Sequence, residues 1–228
     1  MKIRGADTIL RAVTNPLKNK HLKALASVAL LACGGKPQDV TPEPTAPLPT
    51  AGIAAQQVAV LPLTLVAAED SLHWEAVLGE RRTALAKSDS IIGTLLKARA
   101  PEVTWVLPDE LRRVARRAPG IAPAPDQMGT AILFHPTKQQ PEMVPDPLRN
   151  ELRTLAALAG GGRYALVPAA LTYRRSKVAG GMATAELTIV LADVRTGRVG
   201  FRTVARGEGD DPWTALTRAV KSLTPGLP

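Results

Sequence analysis

Two kinds of hydrophobic pattern run along the chain, and the strand-like pattern predicts five strands. Residues 58–66 form an almost continuous aliphatic run, which is typical of a strand buried on both faces of a sheet. A hairpin turn is predicted at residues 193–197, because aspartate is common in turns and Gly197 readily adopts a positive φ. The other predicted strands cover residues 103–106, 164–173, 183–194 and 199–205.

The helical spacing of apolar residues predicts four helices. A weak pattern covers residues 80–99, and a second helix over 111–118 ends at Pro119-Gly120. Asp146-Pro147 supplies the N-cap and first-turn proline of a third helix, whose apolar face comprises Leu148, Leu152, Leu155 and Leu158. Asp211 caps a fourth helix, whose apolar face comprises Trp213, Leu216, Val220 and Leu223.

The order of these elements predicts the fold class. Residues 119–147 carry several prolines and neither hydrophobic pattern, so we expect a long irregular loop there. Strands and helices alternate before this loop and one helix follows it; the chain then continues with three successive strands and a last helix. This order predicts an α/β (α+β) domain with a single mixed sheet of about five strands flanked by helices.

The amino-terminal segment has the three parts of a secretory signal. A basic stretch at residues 18–23 precedes the apolar run 24–32, and Cys33 follows. The nine-residue run is much shorter than the roughly 20 residues that cross a bilayer as a helix. Leu30-Leu31-Ala32-Cys33 resembles the lipobox of bacterial lipoproteins. The resemblance implies cleavage before Cys33, a diacylglycerol on its sulfur and acylation of the new amino terminus.

The residues after the cysteine indicate the destination and a tether. Gly34 stands where aspartate would retain a lipoprotein, so the resemblance implies the outer membrane, with the domain facing the periplasm. Residues 36–50 contain five prolines, which favour an extended polyproline II spacer. The predicted organisation is a signal peptide over 1–32, a lipidated cysteine with a Pro-rich linker over 33–56, and the α/β domain over 57–228.

The charge balance changes once the predicted signal is set aside. The chain has 29 basic and 20 acidic residues, a net charge of +9. Six of the basic residues and one of the acidic residues precede Cys33, so residues 33–228 carry a net charge of +4. Export and the scarcity of aromatic side chains for base stacking argue against a nucleic-acid partner. A single cysteine excludes a disulfide framework and a thiolate zinc cluster.

No sequence motif indicates catalysis, a metal or a cofactor, so we expect no enzyme activity. His73 and His135, the two histidines outside the predicted signal, lie in no metal-ligand spacing. Ser88-Asp89-Ser90 lacks the context of a hydrolase nucleophile, and we interpret it as a helix cap or break. Gly160-Gly161-Gly162 follows a helix and presents carbonyls rather than the amide donors that bind phosphate.

The order of elements is similar to a periplasmic α/β domain. That domain is shared by the curli-secretion lipoproteins, the TolB amino-terminal domain and lipoprotein activators of penicillin-binding proteins. The likeness is carried by the strand 58–63, the helix-to-strand passage 155–167, the hairpin 193–197 and the helix 212–223. It implies action by protein contact in envelope assembly or wall synthesis, without catalysis. A curli-type pore is disfavoured because residues 119–147 are too interrupted by proline for a spanning strand.

Two features are candidates for partner binding. One is a basic helix face next to the loop 119–147, suited to an acidic partner, anionic headgroups or wall polymer: Arg112, Arg113, Arg116 and Arg117. The other is Trp74, because Trp105 and Trp213 fall on predicted core faces. The leading hypothesis is a lipid-anchored, non-enzymatic binding or assembly module with an envelope protein partner. A small-ligand sensor domain, a hydrolase with an unrecognised site and homo-oligomerisation stay open.

Overall fold

The computed structural model describes residues 45–134, 142–178 and 180–224, so Cys33 and His135 lie outside the described residues. These residues form one mixed sheet in the order β3-β1-β4-β5-β6. The strands are β1 (Gln57–Val60), β2 (Val66–Ala68), β3 (Thr104–Val106), β4 (Tyr164–Arg174), β5 (Ala183–Asp193) and β6 (Val199–Gly209). Strand β1 is parallel to both β3 and β4, whereas β4, β5 and β6 form an antiparallel meander.

Helices cover both faces of this sheet. They are α1 (Glu75–Leu78), α2 (Arg81–Arg99), α3 (Pro108–Arg117), α4 (Leu148–Leu158) and α5 (Pro212–Leu223). Short 3-10 turns occur at Thr50–Ile53, Asp70–Leu72, Pro125–Gln127 and Thr130–Leu133. No helix in the described ranges is both long enough and apolar enough to cross a bilayer. The predicted fold class, a mixed sheet flanked by helices, is confirmed.

Alternation along β1 divides the interior into two cores. Val58 and Val60 point into a core with residues of α2 and α5, including Ile92, Leu96, Leu216 and Val220. Ala59 lies in the opposite core with residues of α3 and α4, including Leu111, Leu152 and Leu155. Because successive strand residues face opposite sides, a continuous aliphatic run is needed to fill both cores. The helices α2 and α3 therefore lie on opposite faces of the sheet.

The prediction of one strand over residues 58–66 is wrong, because the strand is interrupted at Pro62. Strand β1 ends at Val60, and β2 pairs with β4 further along from Val66. A proline has no amide hydrogen to donate to a neighbouring strand. The amide of Leu63 leaves the sheet and donates to the side chain of Asp89.

The carboxylates that were predicted to cap helices have different roles. Asp211 caps α5 as predicted, with Oδ1 accepting from the amides of Trp213 (2.9 Å) and Thr214 (3.1 Å). Asp146 was predicted to cap α4, and this prediction is wrong. Pro147 occupies the N-cap position, and Asp146 Oδ2 accepts from Arg149 Nη2 at 2.8 Å.

Residues 45–56, which the sequence assigns to the linker, contribute to the folded domain. Leu48 and Ile53 are buried in the same core as α5, and the amide of Leu48 donates to the carbonyl of Leu223 at 2.8 Å. Thr45 Oγ1 donates to the carbonyl of Val204, which lies on the free edge of β6. This segment therefore covers part of an edge strand that would otherwise expose unpaired backbone groups.

Two glycines in β6 provide a test of the packing between β6 and α5. A Cβ at Gly207 would overlap the backbone of Ala215 and Ala219, whereas the nearest atom to a Cβ at Gly200 is Leu191 O at 3.7 Å. We expect Gly207→Ala to lower the free energy of unfolding by about 2 kcal/mol or more. The matched control Gly200→Ala should change it by less than about 0.5 kcal/mol. Denaturant unfolding of the full chain measures both, and equal effects would contradict this packing.

Candidate functional site

The four arginines singled out from the sequence do not form one surface. Arg112 and Arg116 are one helical turn apart and line a cleft between α2 and α3. Arg113 and Arg117 are exposed and do not line that cleft. Residues four apart share a face of a helix, which is why the four side chains separate into two pairs. The structure thus brings two of the predicted residues together at a cleft and places the other two elsewhere on α3.

Trp74 is buried rather than exposed. Its relative exposure is 9%, and its ring lies edge-on to Tyr173 with the ring centroids 5.3 Å apart. Trp105 is buried as well, and its Nε1 donates to Ala100 O at 2.9 Å. Trp213 is only partly buried, with Lys87 Nζ 4.2 Å from its ring centroid. Trp74 therefore belongs to the core and offers no exposed ring to a partner.

A buried carboxylate, Asp89, joins the elements around the cleft. It lies within α2, and its Oδ1 accepts from the Leu63 amide at 2.8 Å. Its Oδ2 accepts from Arg112 Nη2, also at 2.8 Å. The interpretation of Ser88-Asp89-Ser90 as a helix cap or break is wrong, because α2 continues through these residues. Asp89 instead connects the segment after β1, through the Leu63 amide, with Arg112 of α3, which lies on the other face of the sheet.

The guanidinium of Arg112 binds three carboxylates at once. Besides Asp89 it donates from Nη1 to Asp109 Oδ1 at 2.8 Å, within the same helix. Its Nε and Nη2 both donate to Asp126, with the shortest distance 2.7 Å to Oδ1. A planar guanidinium has five donors in a fixed fork, so one side chain can satisfy several partners. Arg112 thereby attaches the turn Pro125–Gln127 of the long loop to α3.

Burial decides the protonation behaviour of this cluster. It raises the pKa of Asp89 to about 6, although the hydrogen bonds from Leu63 and Arg112 act in the opposite direction. The pKa of Arg112 is raised mainly by its hydrogen bond with Asp126, and further by its hydrogen bonds with Asp89 and Asp109. Arg112 therefore stays charged, and Asp89 is the member of the pair that titrates near neutral pH.

The cleft has a volume of about 840 Å³ and is lined by Thr64, which follows β1, and by residues of α3, the helix that follows β3. The connection from β1 to β3 runs through α2 on one face, whereas the connection from β3 to β4 runs through α3 and α4 on the other face. Such a divergence of connections opens a crevice beyond the strand ends, where α/β proteins bind ligands. The side chains of Arg81 and Arg82 line the cleft from the start of α2.

The polar groups of the described cleft lining are arginines, one carboxylate and one hydroxyl. Within the described ranges its lining contains no histidine, cysteine, serine or lysine. Thr64 Oγ1, its one hydroxyl, is hydrogen-bonded to Thr130 Oγ1 at 2.7 Å. His73 is exposed in a turn. In the part of the chain that the structure covers, no group of three or more histidine, cysteine, aspartate or glutamate side chains is placed to hold a metal ion.

Sequence reasoning missed Asp89 and Arg82. Asp89 lies in register with the apolar residues Leu85, Ile92 and Leu96 on one face of α2. A carboxylate in that position would be buried, and a buried charge requires a partner. This register was a usable signal for a buried ion pair, although it could not name Arg112 as the partner. Arg82 carried no such signal, because its role depends on where α3 lies.

Comparison with known proteins returns solved structures of low similarity. No family model matches the chain, and neither does any curated protein. The LpoB C-terminal domain from Salmonella enterica is 12% identical, with a TM-score of 0.37, and the match covers 68% of this chain and 84% of that chain. The PelC dodecamer from Paraburkholderia phytofirmans is 14% identical, with a TM-score of 0.33, over 74% of this chain and 87% of that one. Lipoprotein GNA1162 from Neisseria meningitidis is 14% identical, with a TM-score of 0.33, over 68% and 81%. All three scores lie below 0.5, so function has to be argued from the residues of this chain.

The raised pKa of Asp89 predicts a pH dependence of stability. Its ordinary pKa is 3.8 and its folded-state pKa is about 6, so the folded state binds a proton more tightly than the unfolded state between these values. The free energy of unfolding contributed by this group therefore falls as the pH rises from about 4 to 6, by on the order of 3 kcal/mol. We expect Asp89→Asn to remove this component in urea unfolding curves measured from pH 4 to pH 7.5.

The matched control is Asp109→Asn, which removes another carboxylate bound to Arg112. The Asp109 side chain is 91% exposed, whereas that of Asp89 is 6% exposed, so this variant should keep the wild-type slope. A wild-type slope in Asp89→Asn would contradict the assignment of the titration to Asp89.

Proposed function

We propose that this chain is a lipid-anchored protein of the bacterial cell envelope whose α/β domain is a non-enzymatic binding module. The observation that carries the proposal is the exposure of Arg113 and Arg117 on α3 and of Ile121 just after it, three residues that we call the α3 surface. Both arginines are exposed, and neither makes an ion pair or a side-chain hydrogen bond with another described residue. Ile121, just after α3, is 71% exposed.

The composition of the α3 surface fits contact with an acidic protein. Arginine is enriched at interfaces because its guanidinium binds carboxylates through two parallel hydrogen bonds. An exposed aliphatic side chain, here Ile121 four residues after Arg117, supplies the apolar contact that such interfaces bury at their centre. Arg112 of the same helix is bound to Asp89 and Asp126, and these ion pairs fix the position of α3.

The lipobox residues support the anchor. Cys33 with Gly34 supports acylation and transfer to the outer membrane, with the domain on the periplasmic side. Two or three acyl chains anchor a protein stably, whereas one chain binds only reversibly. An anchored module meets its partner at a raised local concentration, so a modest contact surface can suffice.

The test uses a photo-reactive amino acid in place of Ile121 in the full chain, expressed in the cells of origin. We expect an adduct with an acidic envelope protein, and the double reversal R113E/R117E should abolish it because the attraction becomes repulsion. The first control places the same photo-reactive residue at Val178, which is 73% exposed and far from α3 in the sequence. The second is R195E/R198E on the exposed hairpin between β5 and β6, which should leave the Ile121 adduct unchanged.

Three outcomes count against the proposal. An adduct that survives R113E/R117E would contradict the role of the α3 surface. An adduct of twice the mass of the chain would identify a second copy as the partner instead. For the anchor, labelled palmitate should be incorporated into the wild-type chain and not into Cys33→Ala, and incorporation into both would contradict lipidation at Cys33.

A further inference from the structure

We propose that the cleft between α2 and α3 binds a phosphate monoester that carries a compact apolar group. This site is separate from the α3 surface and does not depend on the proposed function, because its residues are different. Three parts of the cleft support this proposal: the guanidinium groups that lack a counter-ion among the described residues, the apolar walls beside them, and the fixed side chain of Arg112.

The first part is the unbalanced positive charge in the cleft. Arg82 reaches it from α2 and Arg116 from α3, and neither has an ion pair or side-chain hydrogen bond within the described part of the chain. Arg81 donates to the Thr64 carbonyl at 2.7 Å and has no anionic partner among the described residues. Asp126 is the single carboxylate of the described lining, and both its oxygens already accept from Arg112. An anion entering the cleft therefore meets three cations that make no ion pair with any described carboxylate.

The second part is the apolar wall. Leu85 and Ala86 of α2 face the cleft, as do Ala115 of α3 and Ala122 and Pro125 of the loop. Small-molecule sites are typically clefts of about 300–1,000 Å³ with mainly apolar walls and a few converging polar groups. The volume of about 840 Å³ lies within that range. A bare anion would leave these apolar side chains without a partner, whereas an ester would cover them.

The third part is the fixed position of Arg112. Its donors are occupied by Asp89, Asp109 and Asp126, so it holds α3 and the loop together and is not free to bind a ligand. Arg81 adds positive charge but is held by the Thr64 carbonyl, so the ligand is left to the donors of Arg82 and Arg116, which approach from different helices. A carboxylate is satisfied by the fork of one arginine, while a phosphate monoester has three terminal oxygens that can accept from two forks at once. This requirement favours a phosphate over a carboxylate.

The probe is phenyl phosphate, titrated calorimetrically into the full chain solubilised in detergent, with detergent alone as the blank. We expect saturable binding, and we expect Arg82→Gln and Arg116→Gln each to weaken it about tenfold, because each removes charge-assisted hydrogen bonds. The control R195Q/R198Q changes two exposed arginines of the hairpin at the opposite ends of the strands and should bind as the wild type does.

Two further titrations separate the phosphate from its substituent. Inorganic phosphate should bind at least tenfold more weakly than phenyl phosphate, and so should benzoate. Equal binding of inorganic phosphate would overturn the role of the apolar walls, and equal binding of benzoate would overturn the choice of phosphate. No saturable binding, or wild-type affinity in both arginine variants, would overturn the site. Arg82 and Arg116 are exposed, so their variants should keep the wild-type thermal unfolding temperature; if one does not, the other carries the test.

Discussion

The ion pair between Asp89 and Arg112 is the interaction on which the arrangement around the cleft depends. Pro62 interrupts the first strand, and the next available amide, that of Leu63, bonds Asp89 instead of a neighbouring strand. Arg112 then attaches α3 to α2 through the same carboxylate and attaches the long loop through Asp126. A buried ion pair adds little net stability, because desolvation opposes the attraction, but losing one partner leaves an uncompensated charge. The pair therefore favours one arrangement of α2, α3 and the loop over others.

In this arrangement the neighbouring arginines of α3 differ in what they contact and in which way they face. Arg112 is occupied by carboxylates, while Arg116, one turn later, faces the cleft without such a partner among the described residues. Arg113 and Arg117 lie outside the cleft and remain available to a protein. One ten-residue helix can thus serve a ligand on one side and a partner on another, because residues four apart share a face.

Local signals predicted most of the fold, and contacts distant in sequence account for what was missed. The hairpin before Gly197 and the cap of α5 at Asp211 depend on neighbouring residues, and both are present as predicted. The pairing of Asp89 with Arg112 spans 23 residues and requires knowledge of how α2 and α3 cross the sheet. The burial of Trp74 depends in the same way on Tyr173 in β4, which no local pattern places beside it. The candidate site was therefore predicted only as a list of arginines.

A double-mutant cycle of Asp89→Asn and Arg112→Gln tests the dependence on this ion pair most directly. The free energies of unfolding of the wild type, both single variants and the double variant would be measured at pH 7.5, where Asp89 is ionised. The same cycle with Asp109→Asn and Arg112→Gln gives the reference for an exposed pair, for which about 0.5 kcal/mol or less is expected. We expect a coupling energy above about 1 kcal/mol for Asp89 and Arg112. Additive effects of Asp89→Asn and Arg112→Gln would contradict it.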